Sequence, residues 1–263
     1  MRKCLFCPNP ADSLEHVLPQ WLFRCIAPGN EGKFPVRVGR FVDGQGYLDE
    51  RKHLSLAFKA RIVCENCNTG WMSKLESRVS HILSPLVAQD FPVLAHNFFD
   101  ELRRDAPGIA RWLSKTALTT SFALPGRQRL PEWLAGEIAQ AKPPRGVWID
   151  VAKATVAGIA AASSKMLPTI NGNVFVGPQA HSAGESFQFC IQINHLLLRV
   201  GMSPGAEVGY VAPGGLVAFR LFPKAAPQVP ELFEFRDVNH FFHSIVLRTW
   251  EGCPGEVPVP RRR

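Results

Sequence analysis

Two Cys-x-x-Cys pairs, Cys4/Cys7 and Cys64/Cys67, constrain this chain more than any other feature. Two residues between thiols let both sulfurs face one ion at about 2.3 Å, so each pair supplies two corners of a tetrahedron. Two such pairs far apart in sequence predict one four-thiolate zinc site that ties the chain start to residues near 65. Binding free energy on the order of 10 kcal/mol can then serve as folding energy for a small, loop-rich unit. Such a site is closed, so this Zn2+ is structural. The rival reading is a redox pair; one pair would fit that, but no βαβ pattern surrounds either. Cys25, Cys190 and Cys253 stand alone, and an odd total of 7 argues against a disulfide framework. The lone three read as small buried hydrophobes.

The 263 residues suffice for one large domain or two modest ones, and 46% hydrophobic with 20% charged residues describes a globular chain. A net charge of +8 and a pI near 9.3 favour an anionic partner, most often nucleic acid; a basic enzyme without a polyanionic substrate is the alternative. The start, MRKCLFCPNP, carries no apolar stretch and does not read as a signal peptide. The most apolar region, VAKATVAGIAAASSKMLPTI, is interrupted by Lys153 and Lys165 and is too weakly apolar to span a membrane. The expectation is a cytoplasmic protein with reduced thiols.

The fold class expected is α+β. SLEHVLP reads as a short strand and PQWLFRCI as one or two helical turns. FPVRVGRFVDGQGYLDERKHLSLAFKARIV alternates around a DGQG turn signal and predicts strands. From Cys67, the helical recurrence of Trp71, Met72, Leu75 and Val79 predicts a helix to about VSHIL, with Pro85 and Pro92 punctuating the chain. A boundary is drawn near residue 90, giving units 1–90 and 91–263. In the second unit GIARWLSKTALTTSF predicts an amphipathic helix, and PEWLAGEIAQAK a helix with Pro at its first position. FQFCIQIN predicts a strand with Phe187, Phe189, Ile191 and Ile193 on one face. VGYVAPGGLVAFRLF predicts a hairpin around Pro213-Gly214-Gly215, VNHFFHSIVLRTW a closing helix, and VPVPRRR a solvated basic tail.

SLEHVLPQWL places Glu15 and His16 side by side in an apolar strand, shortly after Cys7. If one zinc joins Cys7 to Cys67, then His16 and Asn68 both lie near that knot. A carboxylate, an imidazole and an amide can hold a hard divalent cation through oxygen and leave the imidazole as a base. The bland readings are a packed core histidine, a helix-capping Asn68, and a Glu15 that orients His16 by a hydrogen bond.

The ordered set, Cys-x-x-Cys, then Glu15-His16 on a first strand, then Cys-x-x-Cys followed at once by Asn68, resembles the HNH endonucleases, also called ββα-metal or His-Me finger nucleases. It is especially similar to zinc-containing members such as phage Holliday-junction resolvases. The resemblance covers about residues 1–80 and implies an N-terminal zinc-stabilised ββα-metal domain followed by a larger α+β domain. It further implies His16 as general base, Glu15 and Asn68 as ligands of a catalytic Mg2+ or Mn2+, and hydrolysis of phosphodiester bonds in DNA. The helix that carries Asn68 would lie against the DNA. The family usually has Asp where this chain has Glu15, and often a further Asn between the motifs. Asn30 is the one candidate, at an unsuitable spacing. Those departures sustain the alternative of a catalytically inactive zinc-stabilised nucleic-acid-binding or assembly module. On an ideal strand Glu15 and His16 point to opposite faces and could share an ion only at an edge or distortion.

Arg37, Arg40, Lys59 and Arg61 on the intervening strands could contact phosphate or form a solvated strand face. Each phosphate contact would add about 0.9 to the logarithmic salt slope on duplex DNA. Glu76 lies eight residues past Asn68, ~12 Å along a helix axis, which points to a salt bridge with Lys59 or Arg61 or to a solvated helix face. DNA is the expected partner, RNA the alternative; no membrane is expected, and residues 91–263 could mediate a homodimer or a protein contact. There is no Gly-x-Ser-x-Gly elbow, and GNEGKF lacks the length and hydroxyl of a phosphate loop. His81, His96, His181, His195, His240 and His243 show no ligand spacing.

Overall fold

A computed structural model describes residues 2–26, 35–41, 47–54, 59–88, 96–123, 130–154, 159–160, 167–168, 170–173, 187–193, 196–202, 206–210, 219–222, 234–235 and 245–249. Asn30, Cys253, the Pro213-Gly214-Gly215 turn and the VPVPRRR tail lie outside the described residues. The expected α+β class holds: helices pack beside mainly antiparallel sheets.

The N-terminal strands and helix follow the sequence closely. Strand β1 (Ser13–His16) is followed by helix α1 (Gln20–Ile26), then by β2 (Pro35–Phe41), β3 (Tyr47–Leu54) and β4 (Lys59–Val63). Strands β1 and β4 form an antiparallel two-stranded ribbon, with Glu15 opposite Ala60 and His16 opposite Lys59. The register shifts between Ser13 and Glu15. After β4 come a single helical turn, α2 (Glu65–Cys67), a π-helical turn over Asn68–Met72, and helix α3 (Ser73–Ala88). Gly70 interrupts the helical backbone inside the π turn, at φ −84° and ψ −109°.

Helix α3 runs further than expected, because Pro85 lies inside it. Buried Met72, Leu75, Val79, Leu83 and Leu86 continue one apolar stripe across the proline. Burial at about 1.5–3 kcal/mol per large side chain offsets the roughly 3 kcal/mol that an interior proline costs. Helix α4 (His96–Ala123) likewise runs through Pro107 and begins well before GIARWL. The helix expected over GIARWLSKTALTTSF is present, but its polar residues do not face water. From Gly108 to Phe122 every residue is buried, polar ones included. The Thr119, Thr120 and Ser121 hydroxyls donate to carbonyls one turn back, at 2.6–3.1 Å, which lets hydroxyl residues sit inside a core. Helix α5 (Trp133–Ala139) buries Leu134, Ala135 and Ile138, and Arg111 of α4 donates to the Ile138 carbonyl at 2.6 Å.

The remaining strands are β5 (Val147–Ala154), β6 (Ile159–Ala160), β7 (Leu167–Pro168), β8 (Ile170–Asn173), β9 (Phe187–Ile193), β10 (Leu196–Met202), β11 (Ala206–Tyr210), β12 (Phe219–Phe222), β13 (Glu234–Phe235) and β14 (Ile245–Thr249). One eight-stranded sheet has the order β12-β5-β10-β9-β8-β2-β3, with β13 also on β5. Strands β9 and β10 are buried almost throughout, as central strands covered on both faces should be. A buried ion pair, Arg199 with Asp150 at 2.8 Å, crosses from β10 to β5.

Two expectations in the second unit are corrected. β11 and β12 do not form a hairpin: β11 pairs with β14, and β12 with β5. The closing helix is in part strand β14, where Ile245, Val246 and Thr249 supply β-branched residues that favour a pleated surface over a helix. The division near residue 90 separates strands of one sheet, since β2 pairs in parallel with β8. One buried cluster also runs from Cys4 through α3 and α4 to Met202.

In that sheet Gly201 lies against the Trp148 ring, and a Cβ there would overlap it. Trp148 is buried and sits directly across the β5–β10 ladder. Gly201→Ala is expected to cost about 1–3 kcal/mol, the usual range for overpacking, read as a fall in thermal unfolding temperature. An unchanged temperature would mean that the Trp148 ring has room to move.

Candidate functional site

The site begins with a tight loop over residues 2–11. Ala11 N–H donates to Arg2 O at 2.9 Å and Cys4 N–H to Asn9 O at 2.7 Å. Leu5 N–H donates to Ile62 O at 2.9 Å, hooking the loop onto β4. Phe6 meets Trp71 edge-on, with ring centroids 5.1 Å apart, and Arg111 of α4 covers the same indole at 4.4 Å. The loop, the π turn and α4 thus share one aromatic contact.

This folding brings Cys4, Cys7, Cys64 and Cys67 together, with all four sulfurs within 4.8 Å of one another. Cys7 Sγ lies 3.4 Å from Cys64 Sγ and 3.6 Å from Cys67 Sγ. A disulfide would need about 2.05 Å. A tetrahedron of zinc–sulfur bonds near 2.3 Å has edges of about 3.8 Å, so the donor set and its spacing fit a tetrahedral thiophilic metal such as zinc. Backbone N–H groups already point at the sulfurs: Phe6 N–H to Cys4 and Cys67 N–H to Cys64, both 3.4 Å. Burial raises the Cys7 and Cys67 thiols above the ordinary range. Burial pushes Cys64 up as well, but hydrogen bonds from the Cys67 backbone and the neighbouring thiols outweigh it and leave Cys64 lowered. A bound cation would draw the whole set to thiolate.

Around this knot the ribbon and the helical segment are stitched together. Asp12 Oδ1 accepts from Glu65 N–H at 2.9 Å, at the start of α2. Asn68 Nδ2 donates to Ser13 Oγ at 2.8 Å. Cys64 is the N-cap of α2 and Asn68 its C-cap, while the Asn68 side chain ties the π turn to β1.

Glu15 and His16 take opposite faces of the ribbon, as strand geometry requires. His16 is half-buried; its ring lies beside Lys59, and Gln20 Nε2 sits 3.1 Å from its Nε2. A donating Gln20 amide assigns the ring proton to Nδ1 and a lone pair to Nε2. Burial, and then the Lys59 charge, hold the imidazole below its usual pKa, with Glu76 acting in the opposite sense. That shift favours the neutral imidazole.

Glu15 instead faces α4. It is 4% exposed, and its Oε1 lies 2.9 Å from the ammonium of Lys115. Lys115 is fully buried and also bonds Glu76 Oε1 at 2.5 Å. So Glu76 pairs with neither Lys59 nor Arg61, and Glu15 is not the hydrogen-bond acceptor of His16. Lys59 and Arg61 are exposed. Arg37 and Arg40 lie on β2 and their side chains fall outside the described residues.

Sequence reasoning missed Lys115, Ser13, Asp12 and Gln20. Lys115 had one visible signal, a cation that with Arg111 interrupts the apolar run of GIARWLSKTALTTSF. The contacts of Ser13 and Asp12 span more than 50 positions and leave no local trace. Comparison of the chain with protein-family models, curated protein sequences and solved structures returned no match. Among the described residues, no helix is long and apolar enough to cross a membrane.

Proposed function

We propose that the chain is a zinc-stabilised endonuclease of the HNH kind that hydrolyses phosphodiester bonds in DNA, with His16 as general base. One observation carries the reading. A two-stranded antiparallel ribbon, β1 with β4, leads directly into a helical segment, and a four-cysteine cluster clasps the two. His16 stands on the outer face of that ribbon with a neutral imidazole and Lys59 opposite it. That is what a base for water needs, a neutral ring and a nearby cation to attract phosphate; the Nε2 lone pair accepts from the exposed Gln20 amide, which has to turn aside before water can take its place. Nε2 takes a proton from water, the hydroxide attacks the phosphorus in line, and the P–O bond opposite breaks as the 3′ oxygen leaves and takes a proton from solvent. Lys59 and Arg61 are exposed and positioned to hold backbone phosphates beside the ribbon.

The resemblance to the HNH family implies a catalytic Mg2+ or Mn2+ on Glu15 and Asn68. Their donor atoms do not converge on a free site: Glu15 is engaged by Lys115, and Asn68 holds Ser13. No step is therefore routed through such an ion. The same engagement of Glu15 favours a second reading, a zinc module that binds nucleic acid without cutting it.

The test is nicking of supercoiled plasmid by the zinc-loaded chain, in Mg2+ or Mn2+ and in EDTA, beside His16→Ala. The expected outcome is nicking by the wild type and a loss of about 10²–10⁴-fold in the variant, the usual contribution of a general base. Equal rates in both would remove His16 from the chemistry. DNA binding with no cleavage in any buffer would establish the second reading.

A further inference from the structure

The most unusual charged group in the described chain is Lys115. Its ammonium has no exposure to solvent, in the stretch of α4 from Gly108 to Phe122 in which every residue is buried. A buried ammonium needs nearby anions and hydrogen-bond acceptors to remain charged. Lys115 has both, in Glu15 Oε1 at 2.9 Å and Glu76 Oε1 at 2.5 Å. These carboxylates come from β1 and α3, the elements that follow the two cysteine pairs along the chain. The geometry is that of two acidic ligands around one cation, and the cation is a side chain of the protein.

We propose that Lys115 is the resident cation of the Glu15–Glu76 pair, so that Glu15 serves as its structural counterion and not as a ligand of a divalent metal. A divalent ion on Glu15 would stand next to an ammonium already within hydrogen-bond distance of the same oxygen. The ammonium cannot retreat to water, because Ser114, Thr116 and the rest of α4 around it are buried. The pair becomes a divalent-cation site only when Lys115 is removed. This assignment goes beyond the nuclease reading and stands without it, since it concerns occupancy and not cleavage.

The experiment measures Mn2+ binding to the zinc-loaded full chain, by calorimetry and by the paramagnetic resonance of free Mn2+. It needs no DNA. Glu15→Gln is expected to leave the Mn2+ binding of the otherwise wild-type chain unchanged, whether that binding is nil or occurs elsewhere. Lys115→Met is expected to gain one Mn2+ per chain, bound at least about tenfold more tightly than by the wild type, as loss of a like charge beside the site implies. Adding Glu15→Gln or Glu76→Gln to Lys115→Met should abolish the gain. Stoichiometric Mn2+ on the wild type that is lost in Glu15→Gln would overturn the proposal. So would a folded Lys115→Met chain that takes up no Mn2+. Should Lys115→Met fail to fold, the comparison of wild type with Glu15→Gln decides alone.

Discussion

Removing the metal from the four-cysteine cluster is expected to unfold the N-terminal loop and the ribbon it holds. The loop over residues 2–11 has little secondary structure, and the ribbon has only two short strands. A two-stranded ribbon is marginal in water unless something packs or clips it. Four thiolates on one zinc contribute on the order of 10 kcal/mol of binding free energy that is also folding energy, against a total stability of about 5–15 kcal/mol for an ordinary domain. The chain as purified should carry one zinc, measured by atomic spectroscopy. Chelation, or Cys64→Ser, should lower the thermal midpoint by many degrees and free the four thiols to react. Restored zinc should reverse chelation but not the substitution. A midpoint insensitive to chelator would show that the cluster is not what closes the fold. His16 lies on β1, so on the proposed nuclease reading nicking should disappear with the metal that holds β1 in place.

The cysteine cluster was legible because ligand spacing is a local property. So were β1, α1, β4 and β9, whose patterns follow from a single strand or helix facing one core. What was not legible depends on who lies opposite. Helix α4 reads as a surface helix only if its Ser, Thr and Lys are assumed to face water; their hydroxyls bond back to the helix, and Lys115 finds two carboxylates. Pro85 and Pro107 stop neither helix, because a proline's local cost is outweighed by a continuous buried stripe. The strand pairs β2–β8 and β11–β14 are non-local, and no turn signal announces them. At the site, the Glu15-His16 dipeptide reads as one functional unit, yet alternation on β1 gives the two residues different neighbours, Lys115 for one and Lys59 for the other.

Lys115→Ala is expected to destabilise the chain by about 3–5 kcal/mol, the cost of leaving buried charge without its partner. Two views of the triad differ. On the Glu15 side burial outweighs the attraction of Lys115, and the carboxyl is held above its usual range. On the Lys115 side burial opposes the charge, but Glu15 and Glu76 together more than restore it, and the ammonium is held well above its usual pKa. The ammonium is the better served of the two, because two carboxylates face it while Glu15 has one cation and a repelling Glu76. The pH dependence follows. A lysine raised by its partners contributes stability that is fully present below its unfolded value of about 10.4 and is lost as pH rises through the folded value. Without Lys115, Glu15 must be protonated to stay buried. Its contribution then falls as pH rises from about 4.3 through the raised folded value. The gap between wild type and Lys115→Ala in denaturant unfolding should therefore be smallest near pH 4, widen toward pH 7, and close again above pH 10. Replacing all three residues by Met, Gln and Gln, which restores volume and removes every charge, should recover most of the loss. Failure to recover would mean that Lys115 matters for its packing against α3 and β4 more than for its charge.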